Sequence, residues 1–359
     1  MDHSAIIFEE RAAAGGKKIG IARLNQPKSL NALSLAMIRA LTPQLQRWRD
    51  DDSVAAVWLE GSGDKAFCAG GDIVFLYEAM VARGDNGKLQ DGVDFFTEEY
   101  ELDHLLHRFP KPVIVWGNGI VMGGGLGLLA AGSHRVATES ARIAMPEVTI
   151  GLYPDVGASW FLNKMPGRTG LFIGLTGIHL NAEDARFVGL ADRCIHHEQR
   201  DAVLAALCAD PQLAEDADPC IHHHLKAAEA HSAGAMPPSV IRDQFDTIQE
   251  LTDEATLGAV VANITGYQGD HPALAKAAKT LAAGSPTSIA LIWRQFHASQ
   301  HLSLAEVFAA ELHLSIRCLE KGELAEGIRA LLIDKDRQPR WRYASLESLD
   351  PEWIDSFYN

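Results

Sequence analysis

The stretch KPVIVWGNGIVMGGGLGLLAAGSHRVATESARIAMPEVTIGLYPDVG, residues 111–157, decides how the rest of the chain is read. It opens on Lys111-Pro112 and an apolar run, Val113 to Trp116, long enough for one buried strand. It then breaks into Gly117, Gly119, Gly123, Gly124, Gly125 and Gly127. Glycines after a buried strand let backbone approach a ligand closely, and where such a turn enters a helix the unpaired N–H groups point at negative charge. The apolar run Leu126 to Ala131 supplies that helix. Two carboxylates then follow prolines, Glu147 after Pro146 and Asp155 after Pro154. This pattern suits chemistry in which N–H groups hold a developing oxyanion while carboxylates move protons or attack a carbonyl.

Outward from this stretch the chain is an ordinary globular one. Its 359 residues, 47% hydrophobic and 22% charged, suffice for a full core in one large domain or two smaller ones. No apolar run approaches the ~20 residues of a membrane helix, and the opening MDHSAIIFEERAAAGG has no basic n-region, so the expected location is cytoplasmic. The five cysteines are scattered without paired or metal-type spacing, which leaves reduced thiols as the default. A formal charge of -15 with no Lys/Arg cluster argues against nucleic acid or an anionic membrane as partner.

On the N-terminal side, residues 5–9 and 18–24 alternate as strands around Gly15-Gly16, which predicts a hairpin. Ser34 is a helix cap before Ile38, Leu41, Leu45 and Trp48 at helical spacing. Residues 54–59 read as a buried strand that runs into the loop GSGDKAFCAGGD and a helix from Ile73 to about Val81, a second strand, glycine turn and helix unit. Residues 82–92 read as a surface loop. In the helix expected over 94–109, Phe95, Leu102, Leu106 and Phe109 form an apolar stripe that also carries Glu99, whereas Glu98 and Glu101 fall on other faces. On the C-terminal side, Asn181 caps a helix to Val188. From residue 210 the composition shifts to a mostly helical part, so the expected division is a core over 1–209 and a helical part over 210–359.

The segments NQPKSLNALSLAMI (25–38), KAFCAGGDI (65–73), DFFTEEYELD (94–103), SPTSIALIWRQ (285–295) and EGIRALLIDKDRQPRW (326–341), together with residues 111–127 and 145–157, resemble the crotonase (enoyl-CoA hydratase/isomerase) superfamily along nearly the whole chain. The resemblance is nearest to that superfamily's 3-hydroxyisobutyryl-CoA hydrolases. It implies an α/β fold, a spiral of ββα units around an acyl-CoA pocket with helices at the C-terminal end covering it. It also implies an oxyanion hole of two backbone N–H groups, placed at Ala69 and Gly124. Hydratases of the superfamily use two glutamates, and here the first of those positions is Gly127 and the second Glu147. The hydrolase pattern instead pairs Glu147 with Asp155 and adds a helix glutamate, matching Glu99, the residue that the apolar stripe singles out.

The expected activity is therefore hydrolysis of a short branched β-hydroxyacyl-CoA thioester, 3-hydroxyisobutyryl-CoA, in valine breakdown. Coenzyme A is then part of the substrate, with no separate cofactor and no metal. Glu147 either attacks the carbonyl or activates a water, with Asp155 assisting and Glu99 binding the substrate hydroxyl. Gly71 and Asp72 complete the substrate-binding loop, and Lys28 and Leu30 are candidates for the adenine-nucleotide end. The superfamily's habits imply a homo-oligomer.

Each feature also has a plainer reading. Glu147 could start a turn, Asp155 could cap a helix, Glu99 could satisfy a buried partner, and Cys68 fits a small buried thiol better than a nucleophile. The runs His196-His197 and His222 to His224 lack a nearby cysteine or carboxylate at ligand spacing and read as solvated. The competing functions are an enoyl-CoA hydratase/isomerase, which would show in the absorbance of an enoyl thioester, and a non-catalytic acyl-CoA binding protein, which would bind without turnover.

Overall fold

The computed structural model describes residues 4–82 and 88–359. Two sheets organise the strands. The larger has the order β1 (Ile6–Ala12), β2 (Lys18–Leu24), β3 (Val54–Gly61), β5 (Val113–Gly117), β7 (His134–Ala137), β9 (Arg193–Cys194), and the smaller has the order β4 (Ala66–Cys68), β6 (Ile120–Met122), β8 (Arg142–Ala144). The expected hairpin is present, β1 and β2 pairing antiparallel from Ile6 opposite Leu24 to Ala12 opposite Lys18. The pairings β2/β3, β3/β5, β4/β6, β5/β7 and β7/β9 are parallel. Successive strand pairs β3/β4, β5/β6 and β7/β8 each give one strand to the larger sheet and the next to the smaller. Where a helix follows, as after β4 and β6, this is the ββα repeat. The short strands of the smaller sheet escape sequence reading because three residues carry no visible alternation.

By contact, the chain gathers into two compact units. One comprises the residues through Gly71, Glu101–Ile143 and Leu180–Arg242, the other Asp72–Tyr100, Ala144–His179 and Asp243–Asn359. The first holds the larger sheet. Its core packs Ile19, Ile21, Trp58, Ile114 and Trp116 against Leu204, Leu207, Ile221 and Leu225 from the helices Arg200–Ala209 and Ala217–His231. Trp58 and Trp116 stack with ring centroids 5.4 Å apart. The helix Leu35–Asp50 starts at Ser34, whose Oγ accepts from the Met37 N–H, and buries the expected residues Ile38, Leu41, Leu45 and Trp48.

The second unit is built mainly of helices. Phe75, Phe95, Phe96, Tyr100 and Phe308 form a chain of ring contacts at centroid spacings of 5.8 to 6.3 Å, which holds the helix Lys88–His107 by its apolar face. That helix begins earlier than expected, so residues 88–92 are helical rather than loop, and 83–87 lie outside the described residues. Ser285 and Ser303 cap the helices Pro286–Ala298 and Leu304–Lys321, the latter through a capping box with Glu306. Residues 210–359 contain helices and no strand among the described residues, and they divide between the units at Arg242/Asp243.

Candidate active site

In the first unit, two glycine turns lie side by side because the strands that feed them pair in parallel, Ala66 opposite Ile120 and Cys68 opposite Val121. Parallel neighbours deliver their C-terminal ends to the same edge. The turns are also in backbone contact, since a Cβ on Gly125 would sit 2.2 Å from the Cys68 carbonyl oxygen. Gly70 takes a φ of +112°, open to glycine at little cost. The helix Gly124–Ala131 starts directly at the second turn.

The backbone bonding of the first turn corrects one expectation. The Ala69 N–H donates to the Leu30 carbonyl at 3.1 Å and is not available to a ligand. Leu30 and Asn31 both adopt positive φ, and Asn31 fixes the loop by donating to the carbonyls of Ser62 and Ala66 while accepting from the Gln26 N–H. Two residues on, Gly71 forms a bridge with Leu33 through the Gly70 carbonyl, which leaves its own N–H outside the pairing. Neither the Gly71 N–H nor the Gly124 N–H has a hydrogen-bond acceptor among the described residues. Of the candidates for the nucleotide end, Lys28 is exposed and Leu30 half-buried.

The acids lie in the second unit. Glu147 opens a short 3₁₀ turn after Pro146, with its backbone carbonyl accepting from the N–H groups of Ile150 and Leu152. Its side chain is 4% exposed and its Oε2 has no hydrogen-bond partner. A buried carboxylate oxygen left without a donor is costly unless a ligand or proton satisfies it. Asp155, also 4% exposed, accepts a 2.6 Å hydrogen bond from the Tyr100 hydroxyl. Val156 and Gly157 follow it at positive φ and turn the chain into the helix Ala158–Phe161. Neither acid faces bulk water. Asp155 does not cap that helix: Glu311 does, its carboxylate accepting from the N–H groups of Gly157 (2.7 Å) and Ser159 (2.9 Å).

Burial dominates the electrostatics of this cluster. It raises the Glu147 carboxyl well above its usual range, with the nearby Asp155 charge adding to the effect. Burial lifts Asp155 to about 6, opposed by the hydrogen bonds from Tyr100 and from its own backbone N–H. Two buried carboxyls that cannot both ionise cheaply divide one proton between them. The pair therefore holds a proton more readily than either carboxyl would in water. Glu99 is 2% exposed, as its place on the stripe predicts, whereas Asp72 spends its carboxylate on the Phe75 N–H as a helix cap.

Sequence reading missed Tyr100, Glu311 and Ser315. Tyr100 was hidden as one more aromatic on an apolar helix. Glu311 carried the signal that exposed Glu99, a carboxylate on an apolar stripe, here formed by Val307, Phe308, Leu314 and Cys318.

Two other groups answer open points. The histidine run does have a cysteine and a carboxylate beside it: Asp210, Cys220 and His224 offer ligand atoms within 4.8 Å of one another. Asp210 meanwhile accepts from the Gln212 N–H at 2.9 Å and meets His224 Nε2 at 2.8 Å. Burial pushes the Cys220 thiol up to about 11, so the trio is a hydrogen-bonded cluster built on a neutral thiol. A polar cleft in the first unit is lined by Arg11, Arg23 and Arg200, but these are already paired with Glu9, Glu60 and Asp201.

Comparison with known proteins places this geometry. The model of the enoyl-CoA hydratase/isomerase family matches residues 19–358. The 3-hydroxyisobutyryl-CoA hydrolase, mitochondrial, of Danio rerio is 39% identical over 99% of this chain and 90% of its own length. That of Homo sapiens is 35% identical over 94% and 86%. Among solved structures, an enoyl-CoA hydratase from Rhodobacter sphaeroides superposes with a TM-score of 0.84 at 32% identity, over 99% of this chain and 97% of its own. A carnitinyl-CoA dehydratase from Mycobacterium thermoresistibile superposes at 0.86, with the same identity and coverage. The mitochondrial location in these relatives' names overturns the expected cytoplasmic location. The cytoplasmic reading rested on the lack of a membrane-length apolar run and of a targeting pattern in the opening residues, and such an absence does not choose a compartment.

Proposed function

This chain belongs to the enoyl-CoA hydratase/isomerase family, and on that premise we propose that it hydrolyses 3-hydroxyisobutyryl-CoA to 3-hydroxyisobutyrate and free coenzyme A, a step in valine breakdown. The observation that carries the reading is the buried pair Glu147 and Asp155, one carboxyl with an unpartnered oxygen and the other held by Tyr100. By the family resemblance Gly127 stands where a hydratase has the first of its two glutamates, which leaves water addition across a double bond with Glu147 alone.

In this reading the N–H groups of Gly71 and Gly124 donate hydrogen bonds to the thioester oxygen as it becomes negative. Donors of this kind are worth about 3 kcal/mol each in a transition state. Glu147 acts on the carbonyl carbon and Asp155 assists it. Either a carboxylate attacks, giving an acyl-enzyme anhydride that water then opens, or the carboxylate takes a proton from the attacking water. On both routes the C–S bond breaks, the thiolate leaves with the proton that the pair held, and water supplies the oxygen and proton that restore the resting state. Glu99 binds the 3-hydroxyl of the acyl group, and Lys28 and Leu30 lie toward the adenine nucleotide.

The experiment is a panel of short acyl-CoAs with free thiol detected by a disulfide reagent. Fastest thiol release from the branched β-hydroxyacyl thioester is expected. Hydration of an enoyl thioester without thiol release would move the protein to the lyases. Because one methyl group changes binding by only about 1 to 3 kcal/mol, neighbouring chain lengths should differ in rate by factors of roughly 10 to 200.

A further inference from the structure

Asp155 ends a chain of buried hydroxyls. The Tyr100 hydroxyl lies 2.6 Å from Asp155 Oδ2 and 2.7 Å from Ser315 Oγ; Ser315 Oγ lies 2.9 Å from the Tyr153 hydroxyl; and the Tyr153 hydroxyl lies 2.7 Å from the Glu311 backbone carbonyl. Tyr100 is 3% exposed, Tyr153 1%, and Ser315 not at all. Ser315 and Glu311 are one turn apart on the helix Leu304–Lys321.

Each hydroxyl has one proton to give, and the carbonyl can only accept. With Asp155 ionised, Tyr100 gives its proton to the carboxylate and Ser315 gives its own to Tyr100, which leaves Tyr153 to turn toward Ser315 or the carbonyl. With Asp155 protonated, every donor reverses. Asp155 gives to Tyr100, Tyr100 to Ser315, Ser315 to Tyr153, and Tyr153 to Glu311, so four protons fill four contacts. Rotation of the Tyr100 and Ser315 hydroxyls, and of Tyr153 where it had faced Ser315, separates the states, and no heavy atom has to move.

We propose that Tyr100, Ser315 and Tyr153 form a reversible hydrogen-bond relay that lets Asp155 gain and lose a proton during turnover in a site closed to solvent. These are positioning residues, acting on the substrate only through Asp155, and the proposal rests on the hydrolase reading above. The relay stops at a carbonyl, so it reorients without passing a proton onward. The other ionisable groups facing Asp155 are Glu147 from its turn and Glu311 and Cys318 from the helix Leu304–Lys321. Burial keeps both tyrosines protonated throughout the working range.

The test is the pH profile of kcat/KM for Tyr100→Phe, Ser315→Ala and the double variant, with thermal melting to check folding. Tyr100→Phe removes a donor that favours the ionised acid, so the acidic limb should move to higher pH by about one unit, the effect of one hydrogen bond to a charged group. Ser315→Ala should move it less, in the same direction, and add nothing in the Tyr100→Phe background, because it acts through that hydroxyl. An unshifted limb in Tyr100→Phe, or an undiminished Ser315→Ala shift in the double variant, overturns the relay. Should Tyr100→Phe fail to fold, Ser315→Ala decides alone by the presence or absence of its shift. Asp155→Asn separates the two ideas: wild-type turnover by that variant defeats the hydrolase reading itself.

Discussion

Gly125 shows how much one absent side chain holds together. Its Cα packs against the turn at Cys68 so closely that a methyl group would lie 2.2 Å from that carbonyl, well inside contact. Gly125→Ala is expected to lose about 1 to 3 kcal/mol in denaturant unfolding, as overpacked sites do. It should also cost turnover in the variant that remains folded, because the two turns would be forced apart. Unchanged stability would show that the turns are looser than the packing indicates. Glycine clusters are legible as places where backbone approaches backbone, but which N–H remains free is not. The sequence motif draws attention to Ala69, whereas its N–H is taken by Leu30, a residue brought in from a distant part of the chain by the left-handed turn at Leu30 and Asn31. Glu147 and Asp155 could be picked out because two acids in apolar surroundings follow a pair of glycine turns, the combination that acid/base chemistry beside oxyanion donors requires. Tyr100 could not, because an aromatic residue on an apolar helix looks the same whether or not its hydroxyl holds an acid.

The helix Leu304–Lys321 places Glu311, Ser315 and Cys318 along one buried stripe. Burial pushes the Glu311 carboxyl up to about 8, outweighing the two N–H groups of Gly157 and Ser159 that favour its charge. A carboxyl raised above its unfolded value of 4.5 stabilises fully below that value and loses its contribution as pH rises through about 8. Glu147 and Asp155 act in the same direction. The melting temperature should therefore fall between pH 5 and pH 8.5. Glu311→Gln should flatten part of that fall while melting lower at pH 5, since its amide nitrogen must face one N–H at a cost of about 1 to 3 kcal/mol. A slope identical to that of the wild type would mean that Glu311 does not titrate in this range. The helix itself falls within the helical part expected from residue 210, and Glu311 could have been found by the reasoning that singled out Glu99.

For the whole molecule, strands, turns and most helices follow from local pattern, and the family resemblance follows from motifs spread along the chain. The assembly into units does not. Parallel pairing requires crossovers, so sheet neighbours such as β5 and β7 are separated by a further strand and a helix, and each compact unit draws on three separated segments. The composition shift at residue 210 marks where strands end, while the unit boundary falls at Arg242/Asp243 within that helical part. The compartment lay outside the reach of composition altogether. What the reading stands on is a buried carboxyl pair that breaks a thioester. The direct measurement is thiol release from 3-hydroxyisobutyryl-CoA by wild type and by Glu147→Gln at equal coenzyme A affinity. A loss of at least about 10³-fold in kcat with binding retained is the expected result, as when an interaction made only in the transition state is removed. Near wild-type thiol release by Glu147→Gln would contradict it.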